Sequence, residues 1–179
     1  MSQIASSYAQ GLYSLALEEN ITKPILEQMQ MLCESFRTEP AFLRLLAAPD
    51  LTKAQRCQIL DDSFRGMLQP YLLNFLKILT EKGYIRHFCD CCKVYEQQYN
   101  QDNGILPVRA VTAVPLTQEQ SHKLTEKLQK LTGKTIALTN RVDPRCLGGV
   151  RLDYDGKQVD GTVSNRLESI RDLLSKTVL

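Results

Sequence analysis

Gln101-Asp102-Asn103-Gly104-Ile105-Leu106-Pro107-Val108-Arg109-Ala110-Val111-Thr112-Ala113-Val114 is the stretch on which the fold turns. A turn-forming cluster ending in Gly104 gives way to an alternating, β-branched run from Leu106 to Val114, closed by Pro115, which reads as a strand. The residues before it use a different vocabulary. Residues 1–104 contain fifteen Leu and one Val, whereas the 75 residues from Ile105 onward contain eight Val. Straight and γ-branched side chains suit helices, and β-branched ones suit strands. Net charge divides at the same place: 10 basic against 12 acidic groups in residues 1–104 (−2), and 12 against 8 in residues 105–179 (+4). The predicted domains are therefore 1–104, helical, and 105–179, strand-containing.

On the amino-terminal side, Ile4, Tyr8, Leu12 and Leu15 recur at helical spacing beside small Ala5, Ala9 and Ala16. Ile25, Met29, Leu32 and Phe36 repeat the pattern up to Glu39-Pro40, where the residue before proline is pushed out of the helical region. A short apolar helix follows over Ala41 to Ala48. Asp50 and Thr52 offer caps to a fourth, carrying Gln55, Ile59, Leu60 and Phe64 before Gly66. Pro70 suits the first turn of a fifth, whose Leu72, Leu73, Phe75, Leu76, Ile78 and Leu79 are apolar almost all round up to Lys82-Gly83. This fifth helix should be the most buried. Ile85, Phe88, Cys92, Tyr95 and Tyr99 form the stripe of a sixth, and six helices with short loops predict a bundle.

On the carboxyl-terminal side, Thr117-Gln118-Glu119-Gln120 is a capping box, and Leu124, Leu128 and Leu131 carry a helix to its stop at Gly133. Strand-like Ile136 to Val142, a Gly148-Gly149 break, strand-like Val150 to Tyr154, an Asp155-Gly156 hairpin turn and Lys157 to Val159 follow. Val163, Leu167, Ile170 and Leu174 end on an amphipathic helix. The expected fold class is α+β: an N-terminal six-helix bundle, then a small β-α-β-β-β-α domain.

Composition narrows the function. At 43% hydrophobic and 23% charged, the chain is globular. A net charge of +2 is too small for a protein that holds nucleic acid electrostatically. No 18-residue apolar run occurs, and Met1 to Asn20 lacks the charged and apolar regions of a signal peptide. Six cysteines in a chain read as non-secreted point to reduced thiols. Gly133-Lys134-Thr135 resembles the tail of a phosphate-binding loop, but Leu128 stands where that loop needs glycine. His87, Cys89, Cys91 and Cys92 hold one C-x-x-C spacing, yet on a helix Cys89 and Cys92 share a face while Cys91 points elsewhere. Neither His87 nor His122 stands near a serine elbow, and Asp143, Asp153, Asp155 and Asp160 fall in or beside turns. No catalytic residue, cofactor or metal ligand is expected.

Taken together, Ala5-Ser-Ser-Tyr8-Ala9 through Leu15-Ala16, Asn74-Phe75-Leu76 through Leu79 with Glu81-Lys-Gly83, Val142-Asp143-Pro144 with Leu147-Gly148-Gly149, and Val159-Asp160-Gly161-Thr162-Val163 resemble one family. It is the delta subunit of the F-type ATP synthase, bacterial type, related to the mitochondrial oligomycin-sensitivity-conferring protein, and the resemblance runs from Ile4 to Leu174. The family usually has Arg where Tyr84 stands, Ser where Thr162 stands and Gly-Asp where Asp155-Gly156 stands. Thr keeps a cap and Asp-Gly is itself a good type I′ turn.

The resemblance implies a non-catalytic stator component of a proton- or sodium-translocating synthase, peripheral on the cytoplasmic face of a bacterial cell membrane. It implies that the helical domain receives the amphipathic amino-terminal helix of an α subunit between its first and fifth helices. The second domain would meet the carboxyl-terminal end of the b subunits. The groove residues would be Tyr8, Ala9, Leu12, Leu15, Asn74, Phe75, Ile78 and Leu79, with Ala5, Ala9 and Gly11 allowing close approach. Tyr8 and Ile78 are the leading candidates. The absence of a transit peptide agrees with a bacterial source. A free-standing α+β adaptor or RNA-binding protein is the alternative, resting on Lys123, Lys127, Lys130 and Lys134; their helical spacing is also that of an ordinary solvated face.

Overall fold

A computed structural model describes residues 3–48, 51–146 and 148–161. The protein is mixed α+β, with seven α-helices and one four-stranded sheet among these residues. It divides into two compact units, residues 1–99 and 100–179.

The first unit contains α1 (Gln3–Glu18), α2 (Thr22–Thr38), α3 (Pro40–Leu46), α4 (Lys53–Phe64), α5 (Pro70–Glu81) and, after a 3₁₀ turn at Ile85–His87, most of α6 (Phe88–Asp102). Sequence signals set several of these boundaries. α2 ends one residue before Glu39-Pro40, and Pro70 opens α5. Thr52 caps α4 in a reciprocal box with Gln55, while Asp50 lies outside the described residues. The N–H of Gln69, at the start of α5, donates to the side chain of Gln28 at 2.8 Å.

The core of this unit is apolar and continuous. Ile25, Met29, Leu32 and Phe36 of α2 are all buried, as the spacing predicts. α5 buries Leu72, Leu73, Phe75, Leu76, Leu79 and Thr80, and the Thr80 hydroxyl is satisfied by the Leu76 carbonyl at 2.8 Å. Aromatic edges link the helices: Phe36 meets Phe88 at 5.4 Å, Phe42 meets Phe64 at 5.7 Å, and Tyr13 meets Tyr95 at 5.1 Å, all edge to face. α1 presents two faces. Its buried face is Ala5, Ala9, Leu12, Tyr13 and Ala16, whereas Tyr8 is half-buried and Leu15 exposed. The small alanines let α1 sit close to its neighbours on that face, which leaves Tyr8 and Leu15 on the other side.

The second unit is built on β1 (Ile105–Thr112), α7 (Gln118–Thr132), β2 (Thr135–Val142), a 3₁₀ turn at Pro144–Cys146, β3 (Val150–Tyr154) and β4 (Lys157–Asp160). Strand order is β2-β1-β3-β4. β1 pairs parallel to β2 and antiparallel to β3, and β3 pairs antiparallel to β4. Pro107 is tolerated in this central strand because pairing with β3 begins at Val108. The capping box of Thr117 with Gln120 opens α7, and Gly133, at φ 66°, closes it. Asp155 and Gly156, at φ 48° and 71°, make the β3–β4 turn that an Asp-Gly pair favours. β1 stops at Thr112, two residues short of the predicted end, where the Thr112 hydroxyl donates to the Val114 carbonyl at 2.7 Å. Leu106, Val108, Leu128 and Ile136 form the core between sheet and helix. The predicted final helix on Val163, Leu167, Ile170 and Leu174 lies outside the described residues.

Candidate functional site

α1 and α5 pack together, and between them lies a groove of about 320 Å³. Ser7, Tyr8, Gly11, Leu12 and Leu15 line it from α1, and Tyr71, Asn74, Phe75 and Ile78 line it from α5. Within each set every residue has a partner three or four positions away, which puts the set on one face of its helix. Buried Leu12 and Phe75 form the floor. Leu15 and Ile78 form the walls and stay 48% and 46% exposed, large apolar side chains in contact with water. Gly11 leaves a gap in the α1 side: nothing lies within 4 Å of where its Cβ would be. Tyr8 leans against Tyr84, with ring centroids 6.1 Å apart. At the rim the Tyr71 hydroxyl donates to the Glu19 carboxylate, and this bond and the negative charge push the phenol upward. The groove is therefore apolar within and acidic at one edge.

Six of the eight residues expected in a groove come together here: Tyr8, Leu12, Leu15, Asn74, Phe75 and Ile78. Ala9 and Leu79 do not. Both are 0% exposed and belong to the core, Ala9 on the face shared with Ala5, Leu12 and Ala16, and Leu79 on the face shared with Leu72 and Leu76. Sequence reasoning missed Ser7 and Tyr71. Tyr71 carried a signal, since it precedes Phe75 by one helical turn and Ile78 by two, but it stands in the proline-led first turn.

The second unit has a concavity of about 420 Å³ between β1, β2 and the β3–β4 hairpin, where Arg109, Asp153 and Lys157 mix both signs of charge. On α7, Lys123 is paired with Glu119, and His122 lies 3.6 Å from Glu126. Its basic residues are thus interleaved with acidic ones on a solvated helix. Among the described residues no group of three or more His, Cys, Asp or Glu side chains could hold a metal ion, and no helix is long and apolar enough to cross a membrane.

Fold and groove together define a mixed α+β protein with an apolar cleft between two helices, lined by no cluster of reactive groups. Comparison with known proteins makes this specific. Residues 4–174 match the family described as ATP synthase delta (OSCP) subunit. The ATP synthase subunit delta of Alkaliphilus oremlandii is 32% identical over 98% of this chain and 98% of its own length. That of Lactobacillus gasseri is 31% identical over 96% and 94%. A chain in the Toxoplasma gondii mitochondrial ATP synthase has the same fold, with a TM-score of 0.77 over 97% of this chain and 98% of that one, at 16% identity. The protein belongs to the ATP synthase delta (OSCP) family. Delta subunits are non-catalytic members of a complex that couples ATP synthesis to ion transport, and membership gives no support to a free-standing adaptor or RNA-binding protein.

Proposed function

We propose that this protein is a stator subunit, joining the catalytic head of a proton- or sodium-translocating F-type ATP synthase to its peripheral stalk at the cytoplasmic face of a bacterial membrane. Residues 1–104 act as a six-helix bundle that takes the amphipathic amino-terminal helix of an α subunit into the α1–α5 groove. Residues 105–179 act as a β-α-β-β-β-α domain that meets the carboxyl-terminal end of the b subunits. The observation that carries this reading is the exposure of Leu15 and Ile78 on either side of an apolar floor. An amphipathic helix laid there would cover both walls, and a standard interface would hide about 800 Å² on each partner. Tyr8 is the natural anchor, since aromatic residues dominate interface hot spots. The net +4 charge of residues 105–179 favours an acidic stalk segment, mainly by steering its approach.

The test is to titrate the full chain with a synthetic peptide of the α subunit's amino-terminal helix, following Tyr8 and Ile78 by NMR. Saturable shifts along α1 and α5 are expected; none at high peptide concentration would remove this partner. Ile78→Asp should weaken binding by at least about tenfold, because a carboxylate would be desolvated against an apolar partner. Helicity should survive, since Ile78 is not part of the buried face of α5.

A further inference from the structure

Six cysteines are present and none is in a disulfide. Three of them converge. α2 and α6 are joined by a hydrogen bond from Gln30 Nε2 to Glu96 Oε1 at 3.0 Å, and by the edge-to-face contact of Phe36 with Phe88 at 5.4 Å. Cys33 stands midway between Gln30 and Phe36, and Cys92 midway between Glu96 and Phe88. The antiparallel register thus sets Cys33 opposite Cys92, and Cys89, one turn earlier on α6, shares the Cys92 face. The side-chain contacts agree: the Cys33 thiol is within hydrogen-bonding reach of both Cys92 and Cys89. Cys33 and Cys92 are buried, whereas Cys89 is half-exposed and opens the cluster to solvent. Cys91 is fully buried and lies off this face.

We propose that Cys33, Cys89 and Cys92 form an oxidisable thiol cluster, in which a peroxide converts Cys33 and one α6 thiol into a disulfide that ties α2 to α6. The thiolate of the α6 cysteine attacks one peroxide oxygen and the O–O bond breaks, giving a sulfenic acid and a hydroxide that takes up the thiol's proton as water. The Cys33 sulfur then attacks the sulfenic sulfur, the S–O bond breaks, and the oxygen leaves as a second water with the Cys33 proton. Two thiols have lost two protons and two electrons, and the peroxide has gained them. The polarity suits this order. The Cys92 neighbour and burial both push the Cys33 thiol upward, whereas the Cys33 neighbour lowers Cys92, so the thiolate is favoured on α6. A dithiol reductant reverses the bond by thiol–disulfide exchange.

The test uses the full chain at low concentration, treated with hydrogen peroxide, then alkylated and mapped by mass spectrometry without reduction. The expected product is a peptide containing Cys33 joined to the peptide containing Cys89 and Cys92, lighter by two hydrogens and separated again by dithiothreitol. It should persist in Cys57→Ser and vanish in Cys33→Ala. The wild-type map stands alone if that variant does not fold. Complete alkylation of Cys33 after oxidation, a disulfide confined to Cys89 and Cys92 within α6, or a bond only between two chains would each overturn the proposal.

Discussion

Gly11→Ala should separate the stability of the helical unit from its recognition of a partner. Glycine inside a helix costs about 0.5–1 kcal/mol relative to alanine, and Gly11 lies well within α1. The added methyl meets nothing, because no heavy atom lies within 4 Å of the Cβ position. Overpacking is therefore absent and the change should stabilise. For a unit of this size that gain corresponds to a rise in melting temperature of roughly 2–5 °C. The same methyl stands in the groove, where the proposed docking helix would come close. Forcing an extra methyl into a packed interface costs roughly 1–3 kcal/mol, or about 5- to 150-fold in Kd. Differential scanning calorimetry of the free chain and titration calorimetry with the α-subunit peptide would read the two effects. A lower melting temperature would show that the open space at Gly11 is wrong. A higher one with unchanged affinity would show that the partner does not pass over Gly11.

Three further changes probe the framework. Tyr95→Phe removes the hydroxyl that donates to the Thr22 carbonyl at 3.1 Å, and should cost about 1 kcal/mol, read as a lower urea midpoint at constant m. Thr117→Ala removes the hydroxyl that accepts from the Gln120 N–H at the start of α7; about 1 kcal/mol should be lost, visible as faster amide exchange in the first turn of α7. Burial, with the neighbouring Asp90 charge, pushes the Cys91 thiol from 9.0 up to about 11. The folded state then holds this proton more tightly than the unfolded state. Its stabilising contribution is intact below pH 9 and falls as the pH climbs toward 11, by up to about 3 kcal/mol. Cys91→Ala should flatten that part of the stability profile, and an unchanged slope would assign the loss to other groups.

Boundaries were the most legible feature of the sequence, because they depend on local chemistry. Pro40, the Thr52 and Thr117 capping boxes, Gly133 and Asp155-Gly156 each act through their own backbone or a residue three positions away. Facing was less legible. Tyr8 and Tyr13 are the same residue type five positions apart on one helix, yet Tyr13 packs edge to face on Tyr95 in the core and Tyr8 lines the groove. Only the position of α6 decides between them. The alanines of α1 carried the information, since small residues mark the closest approach, but their buried face takes Ala9 out of the groove. The strand order was equally hidden. A helix between β1 and β2 suggests parallel neighbours, whereas placing β3 on the other edge of β1 depends on contacts far apart in the chain.

The placement of β1 bears on how the second unit would carry load. Only Asn103 and Gly104 separate α6 from β1, and the Gly104 carbonyl accepts a hydrogen bond from Thr135 N–H at the start of β2. β1 is flanked on both sides, pairing with β2 from Ile105 to Thr112 and with β3 from Val108 to Thr112. Tension drawn along the chain through Gly104 would run parallel to β1 and across the direction of its ladder bonds. The rungs would then share the strain in shear and fail together, where a strand pulled from an edge peels one rung at a time. Loaded in this way, the strand that follows α6 would yield as a block or hold.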